Sequence, residues 1–324
     1  MALDISFEQF RQAAEMIREK NLRTPLLPLH FIKTEQGNPI FLKAENLQPS
    51  GSFKIRGATY SIAQLTNGQK KRGVIAYSTG NHAQAVALAA HLMGVQATIV
   101  MSEDVPKNKV DATREFGAKV VMAEPTSKAR QSKAEQLAGE LGLSMIPPCD
   151  HPNTITGQGT IGVEILQEMV PTAVFVPIGG GGLISGIAMA IKKKSPHIKV
   201  IGVEPEWEND AYQSFKSKQR IGLPGPSHSV ADAIKIQILG EMPYEIILQY
   251  VDDIVTVSEE QIIRATQMTL EKAHLIVEPS GALALAAALR YKGQLEHNKP
   301  VVCIASGGNT LLTTLCQLTE SHEK

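Results

Sequence analysis

Short apolar runs alternate with helix-like runs along most of the chain, and this alternation limits the fold more than any other feature. Residues 40–43, 74–77, 97–101 and 119–122 read as strands, and residues 54–65, 82–93, 107–116 and 128–141 read as helices. Strand–helix repetition of this kind predicts a parallel sheet covered on both faces. The stretch Pro147-Pro148-Cys149-Asp150-His151-Pro152 interrupts the rhythm and marks a crossing between units. Beyond it the pattern resumes, with strands at 173–176, 200–203, 254–257 and 300–304. The helices there are expected at 161–169, from Leu183 onward, at 259–274 and at 282–289, with a Pro/Gly-rich loop at 222–229. Helical spacing over residues 6–20 ends at Arg23-Thr24-Pro25-Leu26. The expected fold class is α/β, with two doubly wound, mostly parallel-sheet domains. The larger takes residues 1–48 and 147–324, and the smaller takes 49–146.

At 324 residues the chain can bury a substantial core. Its 32 basic and 32 acidic residues cancel, which argues against a general electrostatic grip on nucleic acid or an anionic membrane surface. No apolar run approaches a membrane span, and the acidic N-terminal stretch does not read as a signal peptide. Cys149, Cys303 and Cys316 are scattered without metal-ligand spacing and suit a reducing, cytoplasmic setting.

Four stretches carry chemistry. In Ser50-Gly51-Ser52-Phe53-Lys54-Ile55-Arg56-Gly57-Ala58 one lysine follows a strand and opens a helix. Desolvation or a nearby cation lowers a lysine pKa and lets the amine attack a carbonyl. Taken alone, such a lysine is also what a solvated loop carries. Gly179-Gly180-Gly181-Gly182, between a strand and a helix, lets the backbone approach an anion at a helix start and reads as a phosphate cup. A dinucleotide loop is the alternative. That reading normally takes a G-x-G-x-x-G fingerprint near the chain start, although Glu204 does follow the next strand. Ser78-Thr79-Gly80-Asn81-His82 suits a substrate carboxylate, or is an ordinary helix cap. In Ser306-Gly307-Gly308-Asn309 a serine hydroxyl could meet a ring nitrogen. Together these stretches ask for a small cofactor with one phosphate, one aldehyde and one ring nitrogen, and pyridoxal phosphate meets all three demands.

On these residues the chain resembles the fold type II, or β-family, pyridoxal-phosphate enzymes of the tryptophan synthase β-like fold, in the serine/threonine dehydratase and serine racemase branch. The resemblance runs from Arg23-Thr24-Pro25-Leu26 to Ser306-Gly307-Gly308-Asn309. It implies that Lys54 is the Schiff-base lysine, with Phe53 packed near the ring. It implies that Asn81 meets the ring oxygen, that Gly179, Gly180, Gly181, Gly182 and Leu183 hold the phosphate, and that Ser306 partners the pyridine nitrogen. Glu278 in Val277-Glu278-Pro279-Ser280-Gly281 matches another active-site position. Ser78, Thr79, Asn81 and His82 would line the substrate carboxylate, with Arg130 and Asp232 on the substrate side. The small domain would be mobile and the protein a homodimer. Glu204 and Asp210, with the backbone carbonyl of Glu208, resemble a divalent-cation site suited to Mg²⁺ or Ca²⁺. Composition alone would also allow a solvated acidic loop there.

The resemblance implies β-elimination of water from a small β-hydroxy amino acid of the L-threonine or L-serine type, giving a 2-oxo acid and ammonia. Lys54 would remove the α-proton. The alternative is an amino acid racemase with side dehydratase activity, in which Thr79 would deliver a proton to the opposite face. Thr79 stands where racemases of this branch tend to have serine and many dehydratases have alanine. Cys149 stands where racemases tend to have asparagine, and Ala231-Asp232-Ala233 replaces the usual Ala-Asp-Gly. A regulatory domain of the biosynthetic threonine dehydratases is not expected. From other classes, a nicotinamide-dependent oxidoreductase and a catalytically silent binding protein remain as rival readings.

Overall fold

The computed structural model describes residues 3–225 and 227–320. In chain order the first elements are α1 (Phe7–Ile17), β1 (Leu26–Lys33), β2 (Pro39–Lys43), α2 (Lys54–Ala63) and α3 (Asn67–Arg72). They are followed by β3 (Val74–Tyr77), α4 (Asn81–Leu92), β4 (Ala97–Ser102), α5 (Lys107–Glu115), β5 (Lys119–Ala123), α6 (Ser127–Leu141) and β6 (Ser144–Met145). Then come α7 (Pro152–Glu168), β7 (Ala173–Pro177), α8 (Gly182–Lys194), β8 (Lys199–Pro205), α9 (Asp210–Ser217) and α10 (Glu241–Tyr250). The last are β9 (Asp253–Val257), α11 (Glu259–Ala273), α12 (Pro279–Arg290), β10 (Val301–Ile304) and α13 (Leu312–Glu320). Among the described residues no helix is long and apolar enough to cross a membrane.

The strands form two sheets, as the alternation predicts. The six-stranded sheet has the order β1-β2-β10-β7-β8-β9, and the four-stranded sheet the order β5-β4-β3-β6. All pairs are parallel except β1 with β2. Successive strand residues point to opposite faces, so the large sheet feeds two cores. Ile40, Leu42, Phe175, Ile201 and Val301 pack with α12 on one face. Val174, Val176, Val200 and Val302 pack with α8 on the other. Helix α1, held at its start by the Ser6–Gln9 capping box, buries Phe10, Ala13 and Ile17. Phe10 joins a cluster with residues of α7 and α8.

Three sequence expectations change. The break at residues 23–26 leads into β1, an edge strand whose Pro28 needs no inward partner. Helix α7 begins at Pro152, ahead of the expected 161, because glycines and threonines at 154–162 hide a helix that packing, not propensity, stabilises. Helices α3, α9, α10 and α13 have no expected counterpart. The loop at 222–229 is irregular over its described residues, and residue 226 lies outside them.

Helix α7 is the central post. Gly157 touches α2 so closely that a methyl group there would lie 2.6 Å from the Arg56 carbonyl oxygen and 2.6 Å from Gly57 Cα. Backbone on both sides leaves nothing to yield. Gly157→Ala is therefore expected to cost about 1–3 kcal/mol by overpacking, read as a lowered midpoint in urea or thermal unfolding. An unchanged midpoint would show that the two helices can part without cost.

Candidate active site

Each sheet reverses its strand order once. In the large sheet β8 and β9 lie to one side of β7 and β10 to the other; in the small sheet β4 and β5 lie to one side of β3 and β6 to the other. Ligands in open α/β sheets bind beyond the carboxyl ends of the strands at such reversals. Here both reversals open onto one cleft. Its walls come from the segments after β2 (Phe53, Lys54), β3 (Asn81), β6 (Cys149), β7 (Gly179 to Leu183) and β10 (Ser306). Pro177, Ala233, Ile234, Ile236, Glu278 and Ser280 complete the lining.

Lys54 opens α2. Its Nζ donates to the Pro148 carbonyl at 2.8 Å and lies 5.2 Å from the centre of the Phe53 ring. Burial pushes its pKa down, which favours the neutral, nucleophilic amine. The loop before it is fixed from the other side of the cleft. Ser52 bridges to Gly307, and the Phe53 N–H donates to the Ser306 carbonyl at 3.0 Å.

The tetraglycine turn lies at the start of α8. Gly181 has φ +87°, in the left-handed region that favours glycine. A methyl at Gly180 would lie 2.5 Å from Cys149 Sγ, and one at Gly182 would lie 2.9 Å from Cys149 Cα. Only bare backbone fits, with the free N–H groups of the α8 N-terminus at the cleft wall. A turn of this kind is able to cradle a phosphate.

Ser306 follows β10 and is 5% exposed, with its hydroxyl 3.5 Å from the Ser280 carbonyl. Asn81 Nδ2 donates to Glu278 Oε1 at 2.6 Å, and Asn81 Oδ1 accepts from Asn309 Nδ2 at 2.8 Å. Burial raises the Glu278 carboxyl to about 7, against the Asn81 hydrogen bond that lowers it.

The structure does not bring every candidate to the cleft wall. Ser78 and Thr79 lie half-buried in the turn before α4, with the Gly80 N–H donating to Ser78 Oγ at 3.3 Å. His82 is buried, and its Nε2 lies 2.8 Å from the Ile146 carbonyl. The groups left for a carboxylate are the hydroxyls and the N–H groups of the first turn of α4. Arg130 lies on α6, off the cleft, where its Nη2 donates to Ser127 Oγ at 3.0 Å. Asp232 also turns away, pairing with Lys109 at 3.1 Å and Lys235 at 3.3 Å. Against the desolvation that would raise it, those lysines hold its carboxyl below the usual range. In the short 3-10 turn Asp232–Ile234 it is Ala233 and Ile234 that reach the wall. Sequence reasoning also passed over Ser280 and the wall position of Cys149. Their closeness to Glu278 and to the Pro-Pro crossing was the available signal.

Glu204 is buried, and its carboxylate accepts the Ala211 and Tyr212 N–H groups at 3.1 and 2.7 Å. It holds the first turn of α9 and does not face a ribose in the cleft. Glu208 Oε1 accepts from Ser227 Oγ and from the His228 and Ser229 N–H groups.

His82 makes a testable contribution to acid stability. Burial first, and then the nearby Lys54 cation, lower its pKa to about 3. The unfolded chain, titrating near 6.5, binds the proton more readily. Stability is therefore complete above 6.5 and lost as pH falls from 6.5 toward 3, at about 1.4 kcal/mol per pH unit. Between pH 7 and 5 the wild type is expected to lose about 2 kcal/mol that His82→Gln does not lose, read from urea unfolding. Parallel curves for the two proteins would contradict this.

The sequence profile described as "Pyridoxal-phosphate dependent enzyme" matches residues 17–307. The chain is 42% identical over 312 residues to L-threo-3-hydroxyaspartate ammonia-lyase of Saccharomyces cerevisiae, covering 96% of this chain and 95% of that protein. It is 40% identical over 321 residues to a catabolic L-threonine dehydratase of Staphylococcus aureus, covering 98% and 92%. The structure of maize serine racemase matches with a TM-score of 0.92 at 35% identity, covering 99% of this chain and 98% of that one. The dinucleotide reading gives way on both counts, the role of Glu204 in α9 and the family match. On the profile match over residues 17–307 and the likeness to these relatives, the chain belongs to the fold type II pyridoxal-phosphate-dependent enzymes.

Proposed function

We propose that the protein is a lyase that removes water from a small β-hydroxy amino acid and yields a 2-oxo acid and ammonia. The observation that carries this is the convergence of Lys54, the tetraglycine turn and Ser306 in one cleft. The named activities of the ammonia-lyase and dehydratase relatives support it.

The lining fits pyridoxal phosphate. Lys54 would hold its aldehyde, the α8 N-terminus its phosphate, Asn81 its ring oxygen, Ser306 its ring nitrogen and Phe53 one edge of its ring. Bound there against the neutral Ser306 hydroxyl, the cofactor supplies a modest electron sink, which favours departure of a β-hydroxyl over prolonged exchange at Cα. The chain's own residues do the rest. The first turn of α4 and the Ser78 and Thr79 hydroxyls orient the substrate carboxylate. Lys54, whose pKa burial lowers, takes the proton from Cα. Ala233, Ile234 and Ile236 wall the cleft with apolar surface and limit water. Racemisation is the second reading. It is supported by the Thr79 hydroxyl on the loop before α4 and by the likeness to a serine racemase. The homodimer, the cytoplasmic setting and a mobile unit over residues 49–146 belong to the same proposal, and rest on the family resemblance and on cysteines scattered without metal-ligand spacing.

The test is a panel of L- and D-threonine, L- and D-serine and L-threo-3-hydroxyaspartate, assayed for keto acid and for inverted product. The wild type is expected to give mainly keto acid with at least one L-substrate, and Lys54→Ala to lose at least about a thousandfold in rate. Turnover retained by Lys54→Ala would remove Lys54 from the chemistry. Inverted product in excess would favour the racemase reading.

A divalent cation is part of the proposal. Glu204 and Asp210 lie close enough to repel. Burial first, then the Asp210 and Glu208 carboxylates, hold Glu204 well above the carboxylate range, and burial raises Asp210 to about 7. Asp210 Oδ2 and Glu208 Oε2 are buried without a hydrogen-bond partner. Among the described residues no three His, Cys, Asp or Glu side chains are grouped to hold a metal. What supports a hard cation here is that pair of unpartnered carboxylate oxygens, with a backbone carbonyl and water to complete its shell. Without the cation these carboxyls keep protons that the unfolded chain releases, so stability falls as pH rises from about 4 through 7. Millimolar Mg²⁺ or Ca²⁺ is expected to raise the melting temperature more at pH 8 than at pH 6, and Asp210→Asn to abolish the difference. Equal shifts at both pH values, or shifts that survive Asp210→Asn, would count against this site.

A further inference from the structure

Arg56 lies two residues beyond Lys54 in the first turn of α2 and is 1% exposed. Glu45 grips it from one side, with Nε to Oε2 at 2.7 Å and Nη2 to Oε1 at 2.8 Å. Glu164 of α7 grips it from another, with Nη1 to Oε1 at 2.7 Å and Nη2 to Oε2 at 2.8 Å. Nη1 also donates to Thr160 Oγ1 at 3.1 Å, and Nη2 to the Leu22 carbonyl at 3.3 Å. Lys43 of β2 closes the cluster by donating to Glu164 Oε2 and to the Thr24 carbonyl, each at 2.6 Å. Two cations and two carboxylates thus balance in the interior, with every guanidinium nitrogen engaged.

Stability is a weak reason for such a cluster. The desolvation of buried ions largely offsets their attraction, and apolar residues of the same volume often serve as well. What the planar guanidinium fork provides is angular definition. At about 100° per residue, Arg56 projects roughly 200° around the helix from Lys54, into the cluster while Lys54 faces the cleft. The Gly57–Gly157 contact fixes how near α2 lies to α7 but leaves rotation about the α2 axis open. Gripping the arginine along two edges of its guanidinium, together with the burial of Ile55, Ala58 and Ile62, removes that freedom. A rotation of about 10° moves a side-chain tip near the helix radius by ~1 Å, and an error of that size can cost on the order of 100-fold in rate.

We infer that Arg56 is a positioning residue for the lyase reaction: held by Glu45 and Glu164, it sets the rotation of α2 and so the direction in which the Lys54 amine enters the cleft. This rests on the reading of Lys54 as the amine that takes the cofactor aldehyde and the substrate proton. The cluster joins β2, α7 and the segment at 22–24 to α2, so Lys54 keeps its place against the glycine cradle of α8, which itself packs on α7.

The test uses the holoenzyme and Arg56→Lys, which keeps the charge and loses the fork. A control, Phe175→Leu in the core of the large sheet, is chosen for comparable loss of melting temperature. Arg56→Lys is expected to lower kcat tenfold or more with KM within about twofold. It is also expected to shift the pH titration of the cofactor's visible band, while the control leaves both unchanged. Borohydride reduction and peptide mass mapping report how much cofactor is fixed on Lys54 in each protein. If Arg56→Lys does not fold, Glu164→Gln takes its place, with the same direction of change and a smaller loss. Wild-type kinetics and band titration in the folded variant, or equal losses in variant and control, would overturn the inference. A wild type with no cofactor fixed on Lys54 would instead overturn the reading on which it rests.

Discussion

The constraint on which the rest depends is topological. A parallel sheet carries its strand-to-helix turns at one edge, and a reversal of strand order parts the two turns beside it. Two sheets set with their reversals on a common cleft bring together five segments that are far apart in the chain, after β2, β3, β6, β7 and β10. Each segment supplies one kind of group. The turn after β7 gives bare backbone N–H groups, that after β10 a hydroxyl, and that after β2 an amine. No single segment would make a site, and no element has to be distorted to make this one.

The cleft is also electrically consistent. Burial lowers the pKa of Lys54 and His82 and raises those of Glu278 and Cys149. In each case burial shifts the balance toward the neutral form. An amine that must act as nucleophile and base benefits from this environment, and a charged phosphate does not. In the proposed reading the phosphate is matched to the α8 N-terminus, where aligned backbone dipoles supply partial positive charge without a titrating side chain. Ionisable groups are concentrated elsewhere, in the buried Arg56 cluster behind α2 and in the acidic group around Glu204. The first is balanced within the chain. The second is not, and the proposed cation site rests on that imbalance.

Much of this was legible in the sequence. Lys54, Gly179 to Gly182 and Asn81 stood out because each sits where a strand pattern gives way to a helix pattern, Ser306 because it follows the last strand, and Glu278 only through the family resemblance, and the cleft brings all of them together. Asp232, Arg130 and His82 could not be placed the same way. Asp232 lies next to the wall residue Ala233, and in a 3-10 turn adjacent side chains diverge. Arg130 shares its helix with exposed residues, and His82 begins one that is buried almost throughout. For these positions the neighbours in space, Lys109, Ser127 and the Ile146 carbonyl, decide the orientation. Helix α7 was half hidden for a related reason. Its glycines lower helix propensity, and they are there to admit α2 and α8.

The sequence by itself determined the strand–helix alternation, the parallel sheets that follow from it, and the residue types able to hold an aldehyde, a phosphate and a ring nitrogen. These depend on side-chain periodicity and on groups a few residues apart. Only the tertiary structure decided which turns share a cleft and which carboxylates are paired or left facing one another. It alone decided that an arginine two residues from the reactive lysine is locked from behind. Those outcomes depend on contacts between segments a hundred or more residues apart, such as Arg56 with Glu164 and Asn81 with Glu278. The free energy of such contacts comes from burial and geometry that no local window of sequence contains.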